Sequence, residues 1–382
     1  METIGIICEY NPFHRGHRKQ FDLLRAAHGG ETALVCLMSG DFVQRGEPAL
    51  YPKEVRAEAA VRGGASLVLE LPVTYALRSA EGFASGGVEI LTALGVCDGL
   101  SFGCESAAGL TETAELLLSP EFPMALRREL DTGVSFAAAR QRALEALGGD
   151  GSVIASPNNI LAVEYCKAIL RQGSPLKPLP VLRQGGYHDT VPDPENPSAA
   201  SLRAAADFLP YVPEETRCCY ENRPQYRLAY GERAMLARLR TLSEAEFAAV
   251  PYGGEGLWRK VRRACLSGGS VEEIRTAAKS KRYACTRLSR LLLCACLGIS
   301  QERLERPAPW VRVLAFDETG RALLRNIREN GKISLVQAGE TPEKSEFSEL
   351  EARCALLYDL FCARPGEFAR RRRSERIFYK EK

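Results

Sequence analysis

The start of the chain constrains the fold most, because a short apolar run leads through a turn directly into a helix-forming segment. Residues Thr3–Cys8 read TIGIIC, a composition typical of a central strand in a parallel sheet. Asn11 and Pro12 predict a turn, and apolar residues at helical spacing predict a helix over residues 16–28. A strand, a turn and a helix in this order predict the first unit of an α/β sheet.

The same alternation continues through the first half of the chain. Further strands are predicted at residues 33–38, Leu67–Leu71, 100–102 and Lys177–Leu182, and further helices at Lys53–Arg62 and residues 81–94. From residue 211 onward the pattern is helical, over residues 234–242, 257–266, Val271–Ala278, 286–297 and 352–362, with one short apolar run at residues 311–316. We therefore expect an α/β protein, in which a Rossmann-like parallel-sheet domain over residues 1–210 precedes a mainly α-helical C-terminal domain over residues 211–382.

Charge is distributed unevenly between these two parts. The whole chain has a formal net charge of +3, but residues 1–210 hold 18 basic and 25 acidic side chains, whereas residues 211–382 hold 33 and 23. The second part therefore carries a net charge of +10 against −7 for the first, which makes it the expected site of a polyanion. Its densest basic run is a candidate RNA contact, unless it is an ordinary solvated face. The candidate residues are Lys279, Lys281, Arg282, Arg287 and Arg290.

Composition argues against several classes of protein. No apolar run approaches the roughly 18 residues needed to cross a membrane, so we expect no membrane contact. The 13 cysteines are odd in number and scattered through apolar segments, which favours free thiols in a reducing cytoplasm. None of them forms a C-x-x-C pair and no H-E-x-x-H sequence is present, so no metal ligand is assigned. Nothing in the sequence indicates an obligatory protein partner.

Two of the four histidines, His14 and His17, lie three residues apart where the first strand gives way to the helix. A helix that begins at this point presents free backbone N–H groups and the positive end of its dipole, which favour a bound phosphate. Gly16 allows a phosphate to approach the backbone closely. Protonated His14 and His17 would stabilise the charge that builds during displacement at phosphorus, so we predict a nucleoside triphosphate site. The rival interpretations are a zinc site and histidines without a chemical role.

Ligands of such sheets bind beyond the carboxyl ends of the strands, so the residues that follow each strand are further candidates. After the second strand come Arg45, Lys53 and Arg56, three cations that we expect to reach triphosphate oxygens, unless the loop is an ordinary exposed turn.

Two later helix starts are also candidates. Asn158 follows a Ser-Pro pair, where its side chain either binds a ribose or base or simply caps the helix. Ser201 and Arg203 stand at the start of another predicted helix and are candidate phosphate contacts.

Several segments together resemble one known family. They read, in order, EYNPFHRGH, MSGDFVQRGEPA, LVLELPV, AEGFASGGVEIL, FGCE, SPNNIL, YHD and KRYACTRLSR. Over essentially its whole length the chain is similar to the tRNA(Met) cytidine acetate ligases of the HIGH-type nucleotidyltransferase superfamily. The resemblance implies ATP-dependent activation of acetate to acetyl-adenylate in a nucleotidyltransferase-like catalytic domain. It also implies that the acetyl group passes to N4 of the wobble cytidine of elongator tRNA(Met), which the charge distribution leads us to expect on the second domain.

The resemblance implies roles for individual residues as well. His14 and His17 would be catalytic, ATP would be the co-substrate together with Mg²⁺, and acetate and elongator tRNA(Met) would be the partners. One position departs from the family, because the usual Thr of a SATxIR-like motif is Ala200, which leaves Ser201 as the neighbouring hydroxyl. The ATP contacts implied are Ile7, Glu9, Asn11, Pro12, Phe13, Gly16, Gln20, Gly103, Asn158, Arg183 and Gln184.

Two other functions fit part of the sequence. A small-molecule adenylyltransferase would share the histidine site, but it would not need a basic helical part of roughly 170 residues, which is larger than a typical domain. A non-catalytic, nucleotide-regulated RNA-binding protein would share the basic part, but it would not need His14 and His17. For the ligase, we expect activation and transfer to be separable functions of the two parts.

Overall fold

The computed structural model describes residues 1–183, 193–194, 196–205, 207–280, 283–337, 340, 342–366 and 378–380. In these ranges a mixed, mostly parallel sheet carries helices on both faces, and further helices pack against the loops at one end of it. None of the helices in these ranges combines the length and the apolar character needed to cross a bilayer.

Ten strands occur within the described residues. Eight of them belong to the central sheet, and two form a short antiparallel hairpin in the loop after the second strand. Their bounds are β1 Thr3–Cys8, β2 Ala33–Ser39, β3 Phe42–Val43, β4 Glu47–Pro48, β5 Leu67–Leu71, β6 Gly99–Cys104, β7 Lys177–Leu182, β8 Trp310–Asp317, β9 Ser334–Val336 and β10 Phe378–Lys380.

Seventeen α-helices occur in the same ranges. They are α1 Arg15–His28, α2 Lys53–Arg62, α3 Val73–Ala76, α4 Ala80–Leu94, α5 Leu110–Leu118, α6 Phe122–Asp131, α7 Phe136–Ala146, α8 Pro157–Gln172, α9 Ala199–Ala204, α10 Leu228–Thr241, α11 Glu244–Ala248, α12 Leu257–Ser267, α13 Val271–Ala278, α14 Cys285–Leu297, α15 Gln301–Glu305, α16 Glu318–Asn330 and α17 Glu346–Asp359. Short 3₁₀ turns cover Gly151–Ile154, Leu209–Tyr211 and Glu214–Cys219.

The strand order places the first strand at the centre of the sheet. The order is β10-β8-β5-β2-β1-β6-β7, with β9 beside β8. Strands β5, β2, β1, β6 and β7 are parallel, whereas β8 runs antiparallel to β5. The chain moves outward from β1 first through β2 and β5 and later through β6 and β7. This reversal makes the carboxyl ends of β1 and β6 the expected position of a ligand crevice.

Both faces of the sheet are buried, as the apolar composition of the strands requires. Along β1, Ile4 and Ile6 pack into the core on one face and Ile7 packs into the core on the other. Helix α4 approaches the second face closely, because a Cβ at Gly87 would lie 2.3 Å from the Cδ1 atom of Ile7. The central strand is therefore fixed in position by both layers.

The predicted α/β class, with a parallel sheet and a mainly helical C-terminal part, is confirmed. The division at residue 210, however, does not coincide with the edge of the sheet. Strand β8 pairs with β5, and β9 and β10 pair with β8, so the sheet takes strands from both sides of that position. We call α10 to α15 and α17 the helical region. Its core also contains Phe42, Val73 and Leu77 from the first part of the chain, so the two parts share one apolar interior.

Arg56 is buried in the fold and does not face solvent. Its side chain has no exposed surface, and its guanidinium donates to the backbone carbonyl oxygens of Tyr51 at 2.9 Å, Glu9 at 2.6 Å and Ser39 at 3.1 Å, as well as to that of Gly40. These bonds join the loops that follow β1 and β2. The prediction that Arg56 reaches triphosphate oxygens is therefore wrong, because its donors are used inside the protein.

Candidate active site

A cleft of about 360 Å³ opens at the carboxyl ends of β1, β6 and β7. The N-terminus of α1 forms one wall, and the opposite walls come from the starts of α8 and α9 and from the turn between β3 and β4. Its position matches the crevice that the strand order predicts for an open α/β sheet.

The first turn of α1 fixes the two histidines. His14 is the residue that caps the helix, is 3% exposed, and accepts the Gly16 N–H at its Nδ1 atom over 3.1 Å. The backbone N–H of His14 in turn donates to Nδ1 of His17 over 3.3 Å. Because both Nδ1 atoms accept, the neutral tautomer of each ring carries its proton on Nε2. The turn therefore presents two imidazole N–H donors at the positive end of the helix dipole, while the backbone N–H groups of Gly16 and His17 are already bonded to His14.

Both histidines are neutral at pH 7. Their rings stack with centroids 3.7 Å apart and an interplanar angle of 28°. Burial lowers the pKa of His14 to about 3, with Arg183 and Arg203 adding to the effect. Burial, His14 and Arg183 also lower the pKa of His17 well below its usual value. The expectation of two protonated rings is wrong for this state of the protein: the site offers neutral donors and takes its positive charge from arginines.

Three residues form what we call the β6–β7 flank of the cleft: Gly103, Asn158 and Arg183. The Arg183 guanidinium is exposed and donates to Oδ1 of Asn158 over 3.3 Å. A Cβ at position 103 would lie 3.0 Å from Cδ of Arg183, so glycine at this position allows the arginine to lie across the end of β6.

Glu105 organises this flank. Its Oε1 atom accepts from the Asn158 amide, and its Oε2 atom accepts from the Ser156 hydroxyl at 2.6 Å and from the Asn159 N–H at 3.0 Å. In addition, Oδ1 of Asn159 accepts the backbone N–H of Glu105 at 2.8 Å. These bonds lock the loop after β6 to the start of α8 and orient Asn158. Sequence reasoning did not assign these contacts, although a carboxylate in FGCE and polar residues in SPNNIL were the available signal.

The start of α9 closes the cleft over the turn after β1. Ser198 caps α9, and the Ser201 hydroxyl is buried and donates to the Ser198 carbonyl oxygen at 2.9 Å. Arg203 lines the cleft and donates to the carbonyl oxygen of Asn11 at 3.1 Å. Arg203 is thus placed beside the histidines, whereas the Ser201 hydroxyl is used in a hydrogen bond within the first turn of α9.

The opposite side of the cleft, which we call the β2 flank, consists of Glu9, Gln44 and Arg45. Oε1 of Glu9 accepts the Gln44 N–H at 2.7 Å, so the residue after β1 is tied to the turn between β3 and β4. The same turn packs tightly against α14. Gly46 has a φ of +79°, and a Cβ there would lie 2.5 Å from the backbone nitrogen of Arg290. This flank is therefore built jointly by the sheet loops and the helical region.

Arg290 is the described member of the predicted basic run that bonds to the β2 flank. It is half-buried, lies over the ring of Tyr252 at 5.0 Å, and donates to the carbonyl oxygen of Gln44 at 3.2 Å. Burial lowers its pKa. Its guanidinium points into the junction between α14 and the β2 flank.

The other described members of that run are Lys279 and Arg287, of which Arg287 also donates to a backbone carbonyl oxygen, that of Tyr252, at 3.0 Å. Lys279 is exposed at the end of α13, and the half-buried Arg287 lies 4.7 Å from the ring centroid of Tyr283. A cation beside an aromatic ring is an arrangement that binds nucleic acid. Lys281 and Arg282 lie outside the described residues.

Most of the predicted ATP-site residues do come together. Among the described residues, the cleft lining includes His14, His17, Ile7, Glu9, Asn11, Gly16, Gln20, Gly103, Asn158, Arg183, Arg45 and Arg203. Their roles in binding ATP stay predictions.

The remaining candidates lie elsewhere. Pro12, Phe13, Lys53 and Ser201 are described but are outside the lining, and Gln184 is outside the described residues. Lys53 is 8% exposed, and its ammonium donates to both carboxylate oxygens of Glu70 at 2.6 and 2.8 Å, in contrast to the predicted phosphate contact.

Comparison with known proteins agrees with this architecture. A family model described as HIGH Nucleotidyl Transferase matches residues 1–373. A tRNA(Met) cytidine acetate ligase from Syntrophomonas wolfei is 33% identical over 96% of both chains, and one from Anoxybacillus flavithermus is 33% identical over 94% of both.

Solved structures match the fold over its full length. The apo crystal structure of Thermotoga maritima TmcAL has a TM-score of 0.90 and 28% sequence identity, and both chains are covered completely. The structure of the same protein bound with alpha-thio ATP has a TM-score of 0.87 and 27% identity, again over 100% of both chains.

Proposed function

Since this chain belongs to the tRNA(Met) cytidine acetate ligase family of HIGH nucleotidyltransferases, we propose that it activates acetate with ATP and acetylates N4 of the wobble cytidine of elongator tRNA(Met). The names of the relatives support the overall reaction, and the alpha-thio ATP complex of the Thermotoga maritima protein supports an ATP site. The observation that carries the proposal is the pair of neutral imidazole donors that His14 and His17 present at the N-terminus of α1.

In the first half-reaction, an acetate oxygen attacks the α-phosphorus of ATP and pyrophosphate leaves. Negative charge grows on the non-bridging oxygens, where the two Nε2–H donors and the positive end of the α1 dipole stabilise it. The capping bonds hold both rings before ATP binds, so little reorganisation is needed. Arg183 and Arg203 supply positive charge beside the histidines for the phosphates, and Mg²⁺ bound with ATP would add to that charge.

In the second half-reaction, the exocyclic amine of cytidine attacks the acetyl carbonyl and AMP leaves. Adenylation makes this step feasible because acetate itself is a poor acyl donor, whereas an adenylate provides a phosphate leaving group. The protein needs no covalent nucleophile for either step. Its contribution is positioning and charge stabilisation.

The basic surface of the helical region supports the proposed partner. Lys279 and Arg287, with their neighbours Lys281 and Arg282, are proposed to hold the tRNA backbone. The free cysteines, most of them buried, support a cytoplasmic location for the reaction.

Measuring ATP–pyrophosphate exchange with and without acetate, and with and without tRNA, tests the proposal. We expect exchange that requires acetate and proceeds without RNA, followed by N4-acetylcytidine formation when elongator tRNA(Met) is added. Exchange that ignores acetate but requires another small molecule would indicate a small-molecule adenylyltransferase. Nucleotide binding without any exchange would indicate a regulatory RNA-binding protein.

A further inference from the structure

The cleft contains an unexpected charge. Among the described residues that line it, Glu9 is the one acidic side chain, while Lys19, Arg45, Arg183 and Arg203 are basic. A carboxylate beside a triphosphate costs binding free energy through like-charge repulsion. A site that exists only to bind ATP would be better served by a neutral residue at this position.

The orientation of Glu9 suggests a use for that charge. Its Oε1 atom accepts the Gln44 N–H at 2.7 Å, which holds the carboxylate at the turn between β3 and β4, whereas Arg183 bonds to Asn158 on the β6–β7 flank. Its backbone carbonyl oxygen is held separately by Arg56 at 2.6 Å. Both ends of the residue are thus fixed by a buried framework, which is the condition for a positioned acid or base.

The β2 flank is also the side of the cleft that adjoins the helical region, which in the proposed function holds tRNA. The turn that carries Gln44 and Arg45 is packed against α14 through Gly46 and Arg290, and the basic surface residue Arg287 lies one turn earlier on the same helix. In the proposed function, a nucleotide held by the helical region would therefore approach the cleft from the side of Glu9. ATP, in the proposed function, occupies the opposite flank.

The transfer step requires a proton acceptor. When the N4 nitrogen forms its bond to the acetyl carbon, the bond from that carbon to the phosphate oxygen breaks and AMP leaves with the electron pair. The nitrogen must lose one proton to become the neutral amide. Cytidine N4 is a weakly basic, weakly nucleophilic amine, so removing this proton as the bond forms lowers the barrier.

Resting on the proposed function, we propose that the Glu9 carboxylate is the general base of the transfer step, accepting the N4 proton and later releasing it to solvent. Glu9 would then be a catalytic residue that adenylation does not need. This assignment replaces the ATP contact that the family resemblance implies for Glu9.

The Glu9→Gln variant tests this assignment. Glutamine keeps an oxygen that accepts the Gln44 N–H, and the bond from Arg56 to the backbone is untouched, so the loop is retained. Single-turnover acetylation of bound tRNA should slow by about 10²- to 10⁴-fold, the range for loss of a general base. Acetate-dependent pyrophosphate exchange should change far less, and so should acetohydroxamate formation with hydroxylamine, a strong nucleophile that needs no base.

Two further variants complete the experiment. Glu9→Asp keeps a carboxylate but shortens it by one methylene, and it should transfer faster than Glu9→Gln. Glu47→Gln makes the same chemical change in β4 of the neighbouring hairpin, outside the cleft lining, and should behave as wild type.

Each alternative outcome is distinct. Equal loss of exchange and transfer in Glu9→Gln, relieved by added Mg²⁺, would mean that Glu9 holds the metal of ATP and would overturn the proposal. Weaker tRNA binding at an unchanged transfer rate, or no effect at all, would overturn it as well. If wild-type protein showed no acetate-dependent exchange, the proposed function itself would fail, whatever the Glu9 variants did.

Discussion

The two flanks of the cleft are built in different ways. The β6–β7 flank is made entirely by loops of the sheet and by the start of α8, with Glu105 tying Asn158 in place. The β2 flank depends on the helical region, because Arg290 donates to Gln44 and the backbone of α14 packs against Gly46. We therefore expect activation to depend mainly on the self-contained flank, and transfer to depend also on the flank that is shared with the helical region.

This difference changes the expectation that activation and transfer belong to two separate domains. The helical region shares its apolar core with Phe42, Val73 and Leu77, and β8 to β10 return to the sheet. Activation and transfer should therefore be separated by single substitutions in one flank or the other. Deleting residues 211–382 would not separate them, because it would remove strands of the sheet along with the basic surface.

The largest effect is expected at the histidines, which lie between the flanks and serve the chemistry at the α-phosphate. His14→Ala and His17→Ala should each slow acetate-dependent exchange by about 10²- to 10³-fold, the scale for losing one preorganised donor. ATP affinity should fall less, since arginines hold much of the charge. His28→Ala removes a histidine at the far end of the same helix, where the ring pairs with Glu2, and is the matched control. Near-normal exchange in both active-site variants would contradict the proposed chemistry.

A second test addresses the β6–β7 flank. Arg183→Ala should raise the KM for ATP about 10- to 100-fold, because a charge-assisted contact to phosphate contributes about 1.5 to 3 kcal/mol. Transfer from acetyl-adenylate already formed should be nearly normal, since the β2 flank is intact. Lys177→Ala, at the other end of β7, removes an exposed charge far along the same strand and should leave the KM unchanged. An unchanged KM in Arg183→Ala would show that this flank does not hold ATP.

The third test uses pH to probe the centre of the cleft. Because the pKa of folded His14 is about 3 against 6.5 in the unfolded chain, only the unfolded chain takes up this proton near pH 5. Folding stability is therefore lost as pH falls below about 6.5, and His14 accounts for about 2 kcal/mol of that loss by pH 5. Above pH 7 the effect disappears.

Urea unfolding of wild type and His14→Asn at pH 8 and pH 5 measures this contribution. Asparagine keeps a short oxygen that can accept the Gly16 N–H, so the helix cap is conserved chemically. The drop in unfolding free energy between the two pH values should be about 2 kcal/mol smaller in the variant. An equal drop would mean that His14 is already protonated in the folded protein at pH 5.

The position of the cleft and several of its lining residues could be predicted from the sequence, because they depend on local sequence patterns. The apolar run of β1, the turn and the capping position of His14 all lie within 15 consecutive residues, and the parallel alternation places the following loops at one edge. The bounds of α2, β5, β7 and α13 also agree with the predicted segments. Pro52 and Gly63 flank α2, Ser66 and Pro72 flank β5, and Ser270 precedes α13.

The missed features depend on contacts between distant residues. Arg56 and Lys53 look like free cations in the sequence, but packing encloses them against carbonyl oxygens and Glu70. The low pKa of His14 is likewise a consequence of burial beside Arg183 and Arg203, which are more than 160 positions away. Local charge counting cannot distinguish an enclosed cation from an exposed one, and within the basic run it did not show that Arg290 bonds to Gln44.

The smallest effects should appear on the basic surface, where they separate binding from transfer. Lys279→Glu combined with Arg287→Glu should weaken tRNA affinity about tenfold and reduce its dependence on salt, because fewer counterions are released when tRNA binds. Acetate-dependent exchange without RNA should persist. Retained affinity would identify this surface as a solvated face, and loss of exchange in a folded variant would mean that the surface also supports activation.

The Arg290→Gln variant should be measured beside the surface variant. Arg290 belongs to the same basic run in the sequence, but in the structure it bonds to the β2 flank. If Arg290 positions the Gln44 turn, the variant should bind tRNA with the wild-type affinity and salt dependence, yet transfer about five- to tenfold more slowly, as expected from losing one hydrogen bond worth about 1 kcal/mol. Arg290→Lys keeps a donor and should recover part of that rate. If Arg290→Gln instead loses affinity and salt dependence as the surface variant does, then Arg290 is a phosphate contact. The β2 flank would in that case not depend on the Arg290 bond, and the contrast between the two flanks would rest on the packing of Gly46 alone.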